Sequence, residues 1–182
     1  MDSLVTARLT LHPLTAAEAA LVETGDSAAP PDGVCWAPGY PDDGDRAGAR
    51  RFLATCASAG SPQPFGPYEV RLRADGSATD GPAIGGVAFH GRPDAAGQVT
   101  VGYGLISSAR GQGYASEALR ALLAFARSQG VLSVKGDADL DNIGSHRVMA
   151  SAGMRLVAVD ARLKHFRVDW RGISSVDRDP MR

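Results

Sequence analysis

The residues of this chain best suited to chemistry lie in one short run, Arg110-Gly111-Gln112-Gly113-Tyr114-Ala115-Ser116. Before it, Val99, Val101, Tyr103 and Leu105 alternate as on one face of a strand. After it, Ala115, Leu119, Leu122, Leu123 and Ala126 recur at helical spacing, while Ser116, Glu117, Arg120 and Arg127 occupy the opposite face. The run is therefore a strand-to-helix turn carrying two glycines. A helix start presents N–H groups without intrahelical partners and a partial positive charge, and glycine lets an anion approach the main chain. The chemistry on offer is the binding of a phosphate or diphosphate. One exposed anion gains only about 0.3–1 kcal/mol from the helix dipole, so a diphosphate needs several N–H bonds together.

Taken alone, the turn admits other readings. A glycine-rich connection between strand and helix serves equally well as a tight structural joint. A dinucleotide site asks for a third glycine where Ser116 stands, and for a place after a first strand, with enough chain beyond it for a doubly wound sheet. A P-loop asks for Gly-Lys followed by Ser or Thr, which is missing here. The elements around the turn must decide.

Those elements follow from periodicity. Leu9 and Leu11 alternate with Thr10 and His12 over residues 7–13, as in a half-buried strand. Thr15 followed by Glu18 is a capping-box pattern that opens a first helix. Residues 25–45 are crowded with Gly, Pro and Asp and read as a long loop, either a plain connection or a wall for a substrate pocket. A second helix is expected over 46–59, ended by Gly60. Three strands over 68–73, 83–90 and 98–107 form an antiparallel meander. Beyond the central helix come a strand over 131–137, a short helix over 142–152 and a closing pair of strands over 155–160 and 163–170. Residues 1–172 form one domain, with a polar tail over 173–182.

Bulk properties remove several function classes. Nineteen Lys and Arg face 20 Asp and Glu, so no positive excess drives phosphate neutralisation and no nucleic-acid partner is expected. Apolar stretches are broken by Arg and fall short of a membrane span, and the first residues do not read as a secretory signal, which makes a cytoplasmic location the expectation. Cys35 and Cys56 lack metal-ligand spacing, and no metal is expected. His12, His90, His146 and His165 are scattered singly and receive no role.

The run Arg110-Gly111-Gln112-Gly113-Tyr114-Ala115 resembles motif A of the GNAT acetyltransferase superfamily, R/Q-x-x-G-x-G/A. Thr6-Ala7-Arg8-Leu9-Thr10-Leu11-His12-Pro13-Leu14 is similar to the opening T-x-R-L-x-L-x-P-L of its ribosomal-protein alanine N-acetyltransferase branch. Asn142-Ile143-Gly144-Ser145 and Gly153-Met154 match that branch's N-x-x-S helix start and glycine turn. The likeness spans about residues 6–170, and the motifs fall in the order that periodicity sets for the elements. It implies an α/β (α+β) fold: a mixed, mostly antiparallel central sheet of six or seven strands, splayed at the centre and flanked by helices.

By the same resemblance the cosubstrate is acetyl-coenzyme A. The main chain of Arg110, Gly111, Gln112, Gly113, Tyr114, Ala115 and Ser116, with Ser107, would wrap its pyrophosphate, and Leu105 and Ile106 would bond the pantetheine through their main chain. Asn142 would contact the cofactor or cap its helix. Ser145 is the candidate proton donor to the departing sulfur. The implied reaction is direct attack by a primary amine, from a peptide N-terminus or a small molecule, in a ternary complex. A catalytically silent acyl-coenzyme A binder is the alternative, and a homodimer stays open. Two family positions differ: Thr100 stands where many relatives carry a Glu base, and Met149 where others carry a Tyr acid. Deprotonating a lysine-like amine at neutral pH costs about 4–5 kcal/mol, an α-amine about 1.4 kcal/mol. A site short of base machinery therefore suits an α-amine. Asp137, Asp139 and Asp141 are either an alternative base or a solvated turn. Trp36, Tyr40 and Phe65 either line the acceptor pocket or pack as core.

Overall fold

A computed structural model describes residues 2–25, 35–73 and 80–170. The turn chemistry of residues 26–34 and the polar tail lie outside the described residues. Among the described residues eight strands form one sheet: β1 (Leu4–Val5), β2 (Leu9–Pro13), β3 (Pro67–Arg73), β4 (Asp80–Phe89), β5 (Gln98–Leu105), β6 (Ser133–Asp139), β7 (Arg155–Val159) and β8 (Leu163–Asp169). Among the same residues four α-helices cover it: α1 (Ala16–Thr24), α2 (Asp43–Ala59), α3 (Tyr114–Ser128) and α4 (Ile143–Ser151). The spatial order β1-β2-β3-β4-β5-β6-β8-β7 is antiparallel at every step except β5 to β6. A parallel pair needs a long crossover, and here the crossover contains α3. The extra strand beyond the expected six or seven includes β1, whose two residues are too few to show an alternation.

Local chemistry explains the helix ends. Thr15 caps α1, accepting from the Glu18 N–H at 3.2 Å while the Glu18 carboxylate accepts from the Thr15 N–H at 2.7 Å. The second helix begins three residues earlier than periodicity suggests. Asp42 and Asp45 exchange the same reciprocal pair of bonds, each 3.0 Å, so a stretch that reads as an acidic turn is a helix start.

One side of the core lies between the sheet and α3, and Ala19, Val22, Ala49 and Phe52 of α1 and α2 add to it. Leu11, Val70, Val87 and Val101 on the sheet and Leu119 and Leu122 on the helix are each at most 4% exposed. An aromatic cluster of Phe65, Tyr68, Phe89 and Phe125 continues it, with ring centroids 5.2–6.4 Å apart where they meet. Phe65 is thus a packing residue of this face. Glu69 and Arg71, buried at 3% and 5% exposure, point to the other side of the sheet and pair at 2.7 Å.

The approach of β4 to β5 is unusually close at Gly85. A Cβ there would stand 2.2 Å from the Gly104 carbonyl oxygen, whereas a Cβ on Gly104 would meet nothing within 4 Å. Overpacking of this kind costs about 1–3 kcal/mol. Gly85→Ala should therefore lose about that much stability in urea unfolding, while Gly104→Ala stays within about 0.5 kcal/mol of the parent.

Candidate active site

The parallel pair is short. Gln98, Val99 and Thr100 partner Ser133, Val134 and Lys135, after which β6 continues in register with β8 and leaves β5. The hydrogen-bond parity of β5 determines what faces the gap. His90 donates to the Thr100 carbonyl at 2.8 Å and Ile106 donates to the Ile84 carbonyl at 3.0 Å, so even-numbered residues bond toward β4. In an antiparallel ladder the alternate residues bond the other way. The main-chain groups of Val101, Tyr103 and Leu105 therefore point toward β6, into the gap. The pair Leu105 and Ile106 is thereby divided: the Ile106 N–H is engaged by β4, whereas that of Leu105 faces the cleft.

The cleft between β5 and β6 encloses about 250 Å³, with Tyr103, Asp137, Asp139, Asn142, Ser145 and Met149 among its lining residues. Asn142 caps α4 by accepting from the Ser145 N–H at 3.0 Å. The Tyr103 hydroxyl donates across the opening to the Ser145 carbonyl at 3.0 Å. Burial pushes the Tyr103 phenol above its ordinary range, and the Ser145 side chain opposes the shift. Sequence reasoning placed Tyr103 only as a strand residue. Its reach to α4 depends on the separation of β5 and β6, which no local pattern reports.

At one end of the gap stands the glycine turn. Residues 107–109 make a single 3-10 turn, and the Arg110 side chain folds back to donate from Nε to the Leu105 carbonyl at 2.8 Å. Gly111 and Gly113 adopt φ of 77° and 82°, the left-handed region that favours glycine. The first bond of α3 runs from Glu117 N–H to the Gly113 carbonyl. Upstream of it, the N–H groups of residues 111–116 donate to no acceptor among the described residues. A Cβ on Gly111 would meet nothing within 4 Å, so the approach to these donors is open. Six such donors at a helix start match the needs of a diphosphate. Predicted residues 110–116 thus stand together, Leu105, Ile106 and Ser107 lie directly before them, and Asn142 and Ser145 sit across the cleft.

The turn is buttressed from the first strands. Arg8 pairs with Glu117 at 2.7 Å, donates to the Gln112 carbonyl at 3.0 Å and lies 4.6 Å from the Tyr114 ring centroid. Glu117 also accepts from the Thr6 hydroxyl at 2.7 Å and the Arg8 N–H at 2.9 Å, and these bonds hold its pKa down even against partial burial. The Thr6-Ala7-Arg8 segment thereby meets the start of α3.

An α/β domain whose sheet parts beside a helix start rich in free N–H groups defines an architecture suited to an anionic, extended ligand. The family model described as acetyltransferase (GNAT) domain matches residues 8–155, and the chain belongs to that family of acyltransferases. It is 32% identical over 84 residues to an uncharacterized N-acetyltransferase, YjdG, of Bacillus subtilis (strain 168), covering 46% of this chain; the chain spans half the length of that curated relative. Among solved structures it resembles a GNAT-family acetyltransferase from Bacillus anthracis, with 18% identity, a TM-score of 0.62 and coverage of 92% of this chain and 98% of that one. The ribosomal L7/L12 α-N-protein acetyltransferase RimL, solved with coenzyme A, shares the fold at 15% identity and a TM-score of 0.61, over 92% of this chain and 98% of its own. Among the described residues no helix is long and apolar enough to cross a membrane.

Removing Arg8 leaves Glu117 without its cation and frees the Gln112 carbonyl. Hydrogen bonds to charged groups contribute about 1.5–3 kcal/mol, reduced where water reaches them. Arg8→Ala should therefore cost about 1–2 kcal/mol in chemical unfolding.

Proposed function

We propose that this chain transfers the acetyl group of acetyl-coenzyme A to a primary amine by direct attack in a ternary complex, and that the preferred acceptor is an α-amine or another amine of low pKa. The observation that carries this reading is the row of free N–H groups over residues 111–116 at the end of the β5–β6 gap. Those groups, with Ser107 and Arg110 shaping the turn, would hold the diphosphate. Val101, Tyr103 and Leu105 would offer main-chain bonds to the amide-bearing arm, with the Ile106 side chain beside it. Bound there, acetyl-coenzyme A supplies an activated thioester.

The residues of the chain then have three tasks. One of the gap-facing N–H groups, of Tyr103 or Leu105, would stabilise negative charge developing on the carbonyl oxygen. The Ser145 hydroxyl would deliver a proton to the departing sulfur. Asn142 would hold α4 in place through its cap bond and lie near the cofactor. A neighbour of this fold has been solved with coenzyme A, which supports the cosubstrate, and the absence of a Glu at Thr100 supports an acceptor that needs little help to lose a proton.

Thermal melting with acetyl-coenzyme A tests the cofactor. At about 100 times the dissociation constant the protein should gain about 2.7 kcal/mol, a rise of about 5–11 °C. Gly113→Val should abolish that rise, since a branched side chain at φ 82° is strained and crowds the anion. A panel of dipeptide amides and small amines with a thiol-release readout tests the chemistry. Reaction of lysine side chains alone would refute the α-amine preference, and a melting shift without thiol release across the panel would mark a silent binder.

A further inference from the structure

On the sheet face opposite α3, a cavity of about 310 Å³ lies beneath α2. Its floor includes main chain without side chains, at Gly86 of β4 and at Gly102 and Gly104 of β5, with the His90 ring lying over Gly102. His12, Glu69, Gly86 and Gly104 are successive cross-strand partners, one row running over four strands. Asp45, in the first turn of α2, descends onto this row. A Cβ built on Gly86 would stand 3.4 Å from its Oδ1. The other oxygen, Oδ2, accepts from the Asp42 N–H in the helix cap, and the Asp42 side chain also bonds the carboxyl, so the cap orients the group while Oδ1 is turned toward the glycine floor. Gly102 and Tyr103 line both this cavity and the β5–β6 cleft, so only strand β5 separates the carboxylate side from the thioester side.

We propose that the acceptor amine enters this cavity as its ammonium ion, and that Asp45 binds it and takes its proton before attack; this rests on the acetyl-transfer reading above. The ammonium nitrogen carries three hydrogens. One passes to Asp45, one leaves for the sulfur and one stays on the amide. The nitrogen lone pair forms the new C–N bond, the C–S bond breaks with its electron pair going to sulfur, and Asp45 returns its proton to water.

The surrounding charges lean toward a cation, with Asp42, Asp45 and Glu69 set against Arg71 and Arg51, the last of which also lines the cavity. Asp42 flanks Asp45 at the cap of α2, and Glu69 with its partner Arg71 faces it from β3. Tyr40, beside Glu69, is held as the neutral phenol by burial and by those carboxylates. Near the cavity rim, burial and the Arg51 cation keep His90 below its usual range, toward the neutral ring. Burial first, then the Asp42 and Glu69 charges, push the Asp45 carboxyl up to about 7. A base of that strength is matched to an α-amine near 8 and falls well short of a lysine near 10.4. The volume lies at the small end of ligand pockets, about 300–1,000 Å³, which fits the first residue of a peptide or a small amine.

Carbon-13 NMR of aspartate-labelled wild-type protein reads the group directly. The Asp45 carboxyl should titrate near 7, and saturating propylamine should lower its midpoint, because a bound cation favours the carboxylate. Kinetics with alanyl-alanine amide as acceptor supply the second readout. Wild-type kcat/KM should rise through about 7, and Asp45→Asn should lose on the order of 10²-fold at neutral pH, recovering above about pH 9 where the α-amine is already neutral. The folded pKa is raised, so the stabilisation is present below about 3.8 and is lost as pH climbs through about 7; Asp45→Asn should gain on the parent in Tm across that window. An Asp45 carboxyl titrating near 4, a midpoint indifferent to propylamine, or a variant with the parental pH profile would each overturn the assignment. Acetyl-coenzyme A melting shifts separate the two readings. No shift in the wild type sinks the acetyl-transfer reading, whereas equal shifts with unchanged kinetics in Asp45→Asn sink the role of Asp45 alone.

Discussion

Main-chain polar groups need partners, and β5 is denied strand partners on one side beyond Thr100, where among the described residues only the Leu105 carbonyl is met, by the Arg110 side chain. Its three pairs with β6 are followed by divergence, because β6 keeps its full register with β8 while β5 keeps its own with β4. The strand that results is bonded along one edge and open along the other, in the middle of a sheet. Such an edge is costly to leave dry and well suited to an extended ligand that carries amides of its own. The Tyr103 hydroxyl on the Ser145 carbonyl spans the opening, and Met149 packs at the point of parting, where a Cβ on Gly136 would lie 3.2 Å from its sulfur.

Around that gap the protein concentrates opposite electrostatics on opposite faces. Near the α3 start there are free N–H donors and Arg110, beside the Arg8–Glu117 pair, a setting for anions. Under α2 there are Asp45, Asp42 and the Glu69–Arg71 pair, a setting for cations. A reaction between a diphosphate-bearing donor and an ammonium-derived nucleophile needs both settings, kept apart until the reacting atoms meet. In this fold one strand, thinned to glycine at 102 and 104, divides them.

Stability and site share residues at several points. Glu117 belongs to the first turns of α3 and is held by Thr6 and Arg8, so the opening segment of the chain also secures the helix whose start carries the donors. Asp45 closes the cap of α2 with one oxygen and presents the other to the cavity. Its ionised form is disfavoured by burial, and a carboxyl kept for structure alone would be better placed in water.

Much of this was legible from the amino-acid sequence. Periodicities of two and of near four residues located the meander, the central helix and the turn between them, because those patterns record which side chains face a core. Glycines at 111 and 113 signalled the turn, and Thr15 with Glu18 marked a helix start, since both are local demands of the backbone. The start of α2 was hidden, because Asp42 and Asp45 look the same in a solvated turn as in a cap. What the tertiary structure alone decided is which groups face each other across distance. Leu105 and Ile106 are alike in sequence, yet ladder parity gives one to the cleft and the other to β4. Arg8 meets Glu117, Tyr103 meets Ser145, and Asp45 rests over Gly86 through pairings of strands far apart in the chain. Such contacts depend on register and helix placement, and neighbouring residues carry no record of them.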